Sequence, residues 1–281
     1  MPTKEEYIKQ KPKITILVNG MYGYGKSYFG MTFPKVYCIS TDIAGVEFIR
    51  IPENIKLLDN LVKIENITPV NNEEYKAIFS EKVVNGVKEG KIYQYLNEAK
   101  QLYKEGKVET LFIDQYTDLS ELHFRYQEIF DMIKSSVTGN VDLMHMYGNL
   151  KSWLYNITIQ DILTFPGNVI AACHIKRESE DTIEGMDNPT GKRGLSRAGV
   201  VDKDSDIKPA LLGGFRFLIE GKFGASLYLD MKIEGGVKKR IAYCGRVRAF
   251  NTWVNAKNRY GMTDVISDAS YPKIMAAIKT I

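Results

Sequence analysis

The chain has 281 residues, with 38 Lys and Arg against 34 Asp and Glu and a formal net charge of +4. That length allows one large domain or two small ones, and 44% hydrophobic with 26% charged residues supports a full buried core. Its 23 Gly and 9 Pro are too few for a fibrous or low-complexity chain, and so small a charge excess singles out no polyanionic partner.

The first segment, MPTKEEYIKQKPK, is charged and lacks the apolar region of a signal peptide. The run Ile14–Val18 is β-rich and short and leads directly into a Gly-rich turn, so it reads as a buried strand entering a tight loop. A helix is expected from Lys26 to just before Pro34, because the residue before a proline disfavours the α region. Val36–Ser40 reads as a second buried strand, and residues 50–108 show little periodicity until Lys91–Lys104, where apolar residues fall at helical spacing.

Thr110–Ile113 is another short apolar run, ending in Asp114, and helices near 117–134 and 141–163 precede a strand at Asn168–Cys173. Residues 176–208 are charged, hold Gly and Pro and lack periodicity, which predicts a long mobile loop. Ala225–Ile233 and Val237–Cys244 alternate around Glu234-Gly235-Gly236 as a β-hairpin, and a helix at Pro272–Thr280 follows. Strands alternating with helices predict a single α/β domain over 1–281, with a mostly parallel sheet, an antiparallel hairpin near its end and 1–13 as an extension.

No run approaches the ~18 apolar residues of a membrane span, so a cytoplasmic protein without a membrane partner is expected. Cys38, Cys173 and Cys244 lie scattered in apolar segments and read as buried reduced thiols. His123, His145 and His174 are equally dispersed, and these spacings suit neither a structural zinc nor a haem.

Gly20-Met21-Tyr22-Gly23-Tyr24-Gly25-Lys26-Ser27 matches the phosphate-loop pattern G-x-x-x-x-G-K-[ST] without a mismatch, after a strand and before a helix. Glycines let the backbone wrap a phosphate with its N–H groups inward, and the cradle extends to Tyr28 at the start of the helix. Lys26 is expected on the β- and γ-phosphates of ATP and the Ser27 hydroxyl on Mg²⁺. Asp114, at the end of a buried strand, supplies the carboxylate that holds the Mg²⁺ in P-loop ATPases.

Asp42 follows the second strand, where a carboxylate polarises the attacking water or serves as a turn residue; Glu47 is the fallback base. His174 ends the Asn168–Cys173 strand on the nucleotide side, either as a γ-phosphate sensor coupled to the loop behind it or as a plain strand-end residue. Lys257-Asn258-Arg259-Tyr260-Gly261 places paired cations on a turn, suited to a phosphate and also common as a solvated turn.

KNRYG closely resembles the KNRFG motif of RadA-type proteins of the RecA-like ATPase superfamily. Together with the phosphate loop, TDIAG and LFIDQYTDL, it resembles phage-encoded RecA-like ATPases, some of which are single-strand annealing recombinases. The resemblance implies that Asp42 activates water, although RecA-like enzymes usually place Glu there. It also implies that Lys257 and Arg259 reach the nucleotide of a neighbouring subunit in a ring or filament.

By the same resemblance, the loop after His174 binds single-stranded DNA through Lys176, Arg177, Lys192, Arg193 and Arg197, set among eight acidic residues. A single-strand-binding protein is a further implied partner, and the host cytoplasm the location for a phage product. RadA's zinc-binding and protease-like modules have no counterpart, which implies a core ATPase. Two other readings remain: a phosphate-loop kinase with 176–208 as its lid, and a non-hydrolysing ATP-dependent assembly switch.

Overall fold

In the computed structural model, the structure describes residues 13–42, 44–84, 86–130, 142–177, 207–211, 215–250 and 252–278. Strand β1 (Thr15–Gly20) leads through the Gly-rich loop into helix α1 (Lys26–Met31), and β2 (Val36–Ser40) follows Pro34. Two 3-10 stretches, Ala44–Arg50 and Pro52–Asn60, lead to β3 (Leu61–Asn66), α2 (Asn72–Phe79), the small hairpin β4 (Val83–Val84) and β5 (Val87–Lys88), and α3 (Lys91–Lys104). Then come β6 (Thr110–Asp114), α4 (Tyr116–Phe130), α5 (Leu143–Asn156) with a wider π turn at Ile157–Ile162, and β7 (Asn168–Cys173).

Strands β8 (Ile175–Arg177) and β9 (Ile207–Pro209) pair antiparallel, so the segment expected to be loop throughout is a two-stranded ladder at its ends. Backbone pairing recruits those few residues, which carry no alternation of their own to announce a strand. Lys192, Arg193 and Arg197 lie outside the described residues.

The last third comprises α6 (Arg216–Ile219), β10 (Ala225–Glu234), β11 (Val237–Tyr243), β12 (Arg246–Ala249), β13 (Thr252–Asn255), β14 (Lys257–Asn258), β15 (Val265–Ser267) and α7 (Tyr271–Ala277). The expected helix 117–134 is observed as α4 up to Phe130, with 131–134 outside the described residues, and 141–163 as α5 with its π turn. Asp142 fixes the start of α5 by accepting the His145 N–H at 3.0 Å.

The main sheet runs β15-β11-β10-β1-β7-β6-β2-β3, with β14 also on β10. From β10 to β3 every pairing is parallel, and β11, β14 and β15 are antiparallel. This is the expected α/β architecture, a mostly parallel sheet flanked by helices with antiparallel strands from the last third of the chain.

Alternation along the strands separates two cores. Leu17, Tyr37, Ile39, Leu111, Ile113, Val169 and Ala171 face α3, α4 and α5. Ile16, Val18, Val36, Cys38, Phe112, Ile170 and Ala172 face the side that holds Phe29 of α1 and Ile274 of α7. Cys38, Cys173 and Cys244 are buried and unpaired. Among the described residues no helix is long and apolar enough to cross a membrane.

Parallel strands converge at their carboxyl ends, so β1, β2, β6 and β7 deliver Gly20, Ser40, Asp114 and Cys173 to one rim of the sheet. That rim is where open parallel sheets form their ligand crevices.

Candidate nucleotide site

The loop Gly20–Gly25 turns back over the rim, with Gly23 and Gly25 at φ 76° and 80°. Both angles lie in the left-handed region that favours glycine. At Gly25 the constraint is double, because a Cβ there would also come within 2.6 Å of the Arg240 Nε.

The loop borders a cleft of about 340 Å³ lined by Tyr22, Gly23, Gly25, Lys26, Ser27 and Tyr28. Asp42, Phe48, Asn54, Gln115, His174, Met231 and Arg240 complete its wall. Glu47, the alternative base, is exposed and pairs with Arg50 at 3.3 Å.

Lys26 is 3% exposed. Its ammonium donates to the Gly20 and Met21 carbonyls at 3.0 and 2.9 Å and lies 3.1 Å from the His174 Nδ1. Burial lowers its pKa to about 8, against the pull of the Asp114 charge. Burial and the nearby Lys26 charge push His174 down to about 4, leaving a neutral ring whose Nδ1 can accept from the lysine. The exposed Tyr22 ring covers that imidazole at 3.7 Å between centroids, and the His174 backbone N–H donates to the Thr117 hydroxyl at 2.9 Å.

Asp114 is fully buried, and neither carboxylate oxygen has a hydrogen-bond partner. Burial raises its pKa to about 7, opposed by the Ser27 hydroxyl and the Lys26 charge. The ends of β2 and β6 are tied beside it: Thr41 N–H donates to the Asp114 carbonyl at 2.7 Å, Gln115 N–H to the Thr41 hydroxyl at 3.0 Å, and that hydroxyl to the Gln115 carbonyl at 3.1 Å. Asp42 is held by its backbone, which exchanges hydrogen bonds with the Ser40 hydroxyl at 2.9 and 3.2 Å. Its carboxylate acts on Asp114, Asp118 and His174.

The late motif sits elsewhere. Lys257 and Asn258 pair with Ser226 and Ala225, whereas Gly20 of the loop lies opposite Leu229. Those few residues correspond to roughly 10 Å of strand, toward the opposite rim. The Lys257 ammonium donates to the Gly221 and Phe223 carbonyls at 2.7 and 2.9 Å. The Tyr260 hydroxyl accepts the Thr15 N–H at 2.8 Å, and Asn258 closes the turn on Met262. Arg259 is exposed. The motif therefore staples β10 to β1, and neither cation lines the cleft of its own chain.

A family model, AAA_24, described as an AAA domain, matches residues 12–260, from before β1 through the late motif. The chain belongs to the AAA domain family. No curated protein matches it. Among solved structures it is similar to the flagellar accessory protein FlaH from Methanocaldococcus jannaschii, at 14% identity over 90% of this chain and 84% of that chain, with a TM-score of 0.38. It is also similar to a KaiC-like protein from Pyrococcus horikoshii OT3, at 12% identity over 82% and 77% of the two chains, with a TM-score of 0.36.

This AAA domain is a P-loop ATPase, a family in which nucleotide binding is general and Mg²⁺ its usual companion. The residues fit such a cation: a buried carboxylate without a partner, close enough to Ser27 for the hydroxyl to act on it, is a hard oxygen donor set. Among the described residues there is no cluster of three or more His, Cys, Asp or Glu that could hold a metal alone. Phosphate oxygens would supply the remaining ligands.

Two neighbours escaped the sequence reading. Asp118, in the first turn of α4, is raised to about 6 by burial, Glu121 and Asp42. Its signal was available, one turn past a strand ending in Asp. Arg240 enters from β11, where a cation shares the face of the buried Ala242.

Proposed function

We propose that this chain is an ATP-driven, RecA-like DNA-binding protein that promotes annealing or strand exchange of single strands. It hydrolyses Mg-ATP at interfaces between copies. Lys26 binds the β- and γ-phosphates, Ser27 and Asp114 hold Mg²⁺, and Asp42 orients and polarises the attacking water. Held by those two residues, Mg²⁺ would supply positive charge to the phosphates.

One observation carries the link to DNA. His174 contacts Lys26 on one side, and its carbonyl accepts the Ala210 N–H at 2.7 Å, just after β9. The β8–β9 ladder that begins and ends the 176–208 segment therefore starts one side chain from the phosphate loop. A change in the charge facing Lys26 alters what the lysine asks of His174, and that imidazole stands at the root of the segment that would meet DNA phosphates. Lys176 is exposed on β8.

Arg259, exposed and remote from its own cleft, is suited to complete the site of a second copy.

The test is ATP hydrolysis with and without single-stranded DNA at two salt concentrations. Stimulation that fades at high salt is expected, since phosphate contacts release counterions. Hydrolysis indifferent to DNA refutes the DNA-binding part. Arg259→Ala should lose hydrolysis while keeping ATP binding, and normal turnover by that variant rules out the shared site.

A further inference from the structure

Lys26 and Arg240 are the cations lining the cleft among the described residues, and the family pattern of loop and Asp114 does not require the second. Arg240 stands on β11 opposite Met231 of β10, and both line the cleft. Alternation puts it on the face of Ala242, toward the core under α1, where a cation is out of place without an anion to meet.

Its guanidinium carbon lies over the Tyr28 ring, 3.5 Å from the centroid, and the side chain abuts Gly25. Stacking occupies the face of the group and leaves its in-plane N–H donors to find acceptors. The Nε is buried without one.

Position along the loop narrows the ligand. The Lys26 charge acts on Asp114, Asp118 and His174 alike, and Arg240 is not among the charges acting on any of the four. Lys26, Ser27 and Asp114 define the end of the cleft that takes the γ-phosphate and Mg²⁺. Arg240 instead borders Gly25 and Tyr28, whose part of the cradle receives the phosphates nearer the ribose.

We infer that Arg240 clamps the α- and β-phosphates of a bound nucleoside di- or triphosphate, supplied in cis by the β10–β11 hairpin. The inference rests on the nucleotide-binding reading above. Because ADP and ATP share those phosphates, the clamp holds product as firmly as substrate and sets nucleotide retention rather than discrimination. The hairpin thereby becomes part of the nucleotide site instead of an edge appendage.

The test titrates fluorescent ATP and ADP analogues into wild type, Arg240→Met, Arg240→Lys and Lys26→Ala. Arg240→Met should weaken ATP and ADP alike, by about ten- to a hundred-fold for one charge-assisted contact, with their affinity ratio preserved. Arg240→Lys, which keeps stem and charge but loses the planar fork, should lose less, and it decides the matter if circular dichroism shows the Met variant unfolded.

A loss confined to ATP, or no loss in a protein whose Lys26→Ala variant fails to bind, overturns the clamp and leaves the nucleotide reading standing. Failure of the wild type to bind either analogue overturns both.

Discussion

Asp114→Asn should stabilise the nucleotide-free protein, and increasingly so as pH rises. The carboxyl is fully buried, both oxygens lack partners, and its pKa moves from the ordinary 3.8 to about 7 in the fold. A carboxyl raised on folding binds its proton more tightly in the native state, so the folded form gains protons relative to the unfolded chain between those two values. Stability associated with this group is therefore greatest below pH ~4, falls through pH 7 and levels off above it. At about 1.4 kcal/mol per pH unit the full excursion is about 4 kcal/mol, an upper bound because water and counterions enter a breathing cleft.

Asparagine keeps the shape without the ionisation, so the stability gap between the two proteins reads this group together with its coupling to Lys26 and cancels the titrations remote from it. Urea unfolding followed by tryptophan fluorescence in EDTA, from pH 4 to 8, measures it. The gap should open by several kcal/mol in favour of Asn as the pH rises, and Mg-ATP should close it. A gap that stays constant across that range refutes the claim that burial of the Asp114 charge outweighs the help of Ser27 and Lys26.

Binding of ATP should weaken above about pH 8, by up to about tenfold per pH unit, because Lys26 begins to lose its proton there in the free protein; fluorescence titrations between pH 7 and 9.5 would show a flat line if the lysine stays charged. Gly30→Ala should destabilise by about 1–3 kcal/mol in urea unfolding, since the added methyl drives into the Phe112 ring and the modest gain in helix propensity cannot offset overpacking. Tyr260→Phe should cost about 1–2 kcal/mol by stranding the Thr15 N–H that its hydroxyl accepts, leaving nucleotide affinity intact. A Tyr260→Phe protein as stable as wild type would show the late motif is not the staple between β10 and β1.

Where chemistry is local, the chain could be read directly. The phosphate loop needs glycine at left-handed positions and a lysine at a fixed offset, and the strands feeding it are short apolar runs, so β1, β2, β6, β7 and the hairpin were expected almost to the residue. Residues 44–88 were not: 3-10 stretches and two-residue strands leave no period to detect, and β3 and α2 are short and bury too few residues to show one.

The late motif shows the opposite limit. Lys257 and Arg259 look equivalent in sequence, yet tertiary structure gives the lysine two carbonyls and leaves the arginine exposed. Arg240 was concealed by its neighbours: within Lys238-Lys239-Arg240 it reads as one of three surface cations, and only the β11 register separates it from them.

The electrostatics around the loop have a common direction. Burial pushes Lys26 and His174 down and Asp114 and Asp118 up, so desolvation favours the neutral form of each of the four. A polyphosphate placed against Lys26 reverses the first shift, and a divalent cation against Asp114 reverses the third. Neither alone balances the cleft, because an anion near Asp114 raises that carboxyl further and a cation near Lys26 lowers the lysine further. The two ligands together relieve both penalties, so the free energy of ATP binding and that of Mg²⁺ binding must be positively coupled, with fractional proton uptake at Lys26 and fractional release at Asp114 near neutral pH. Cooperativity between nucleotide and metal follows here from burial alone, without any movement of the backbone.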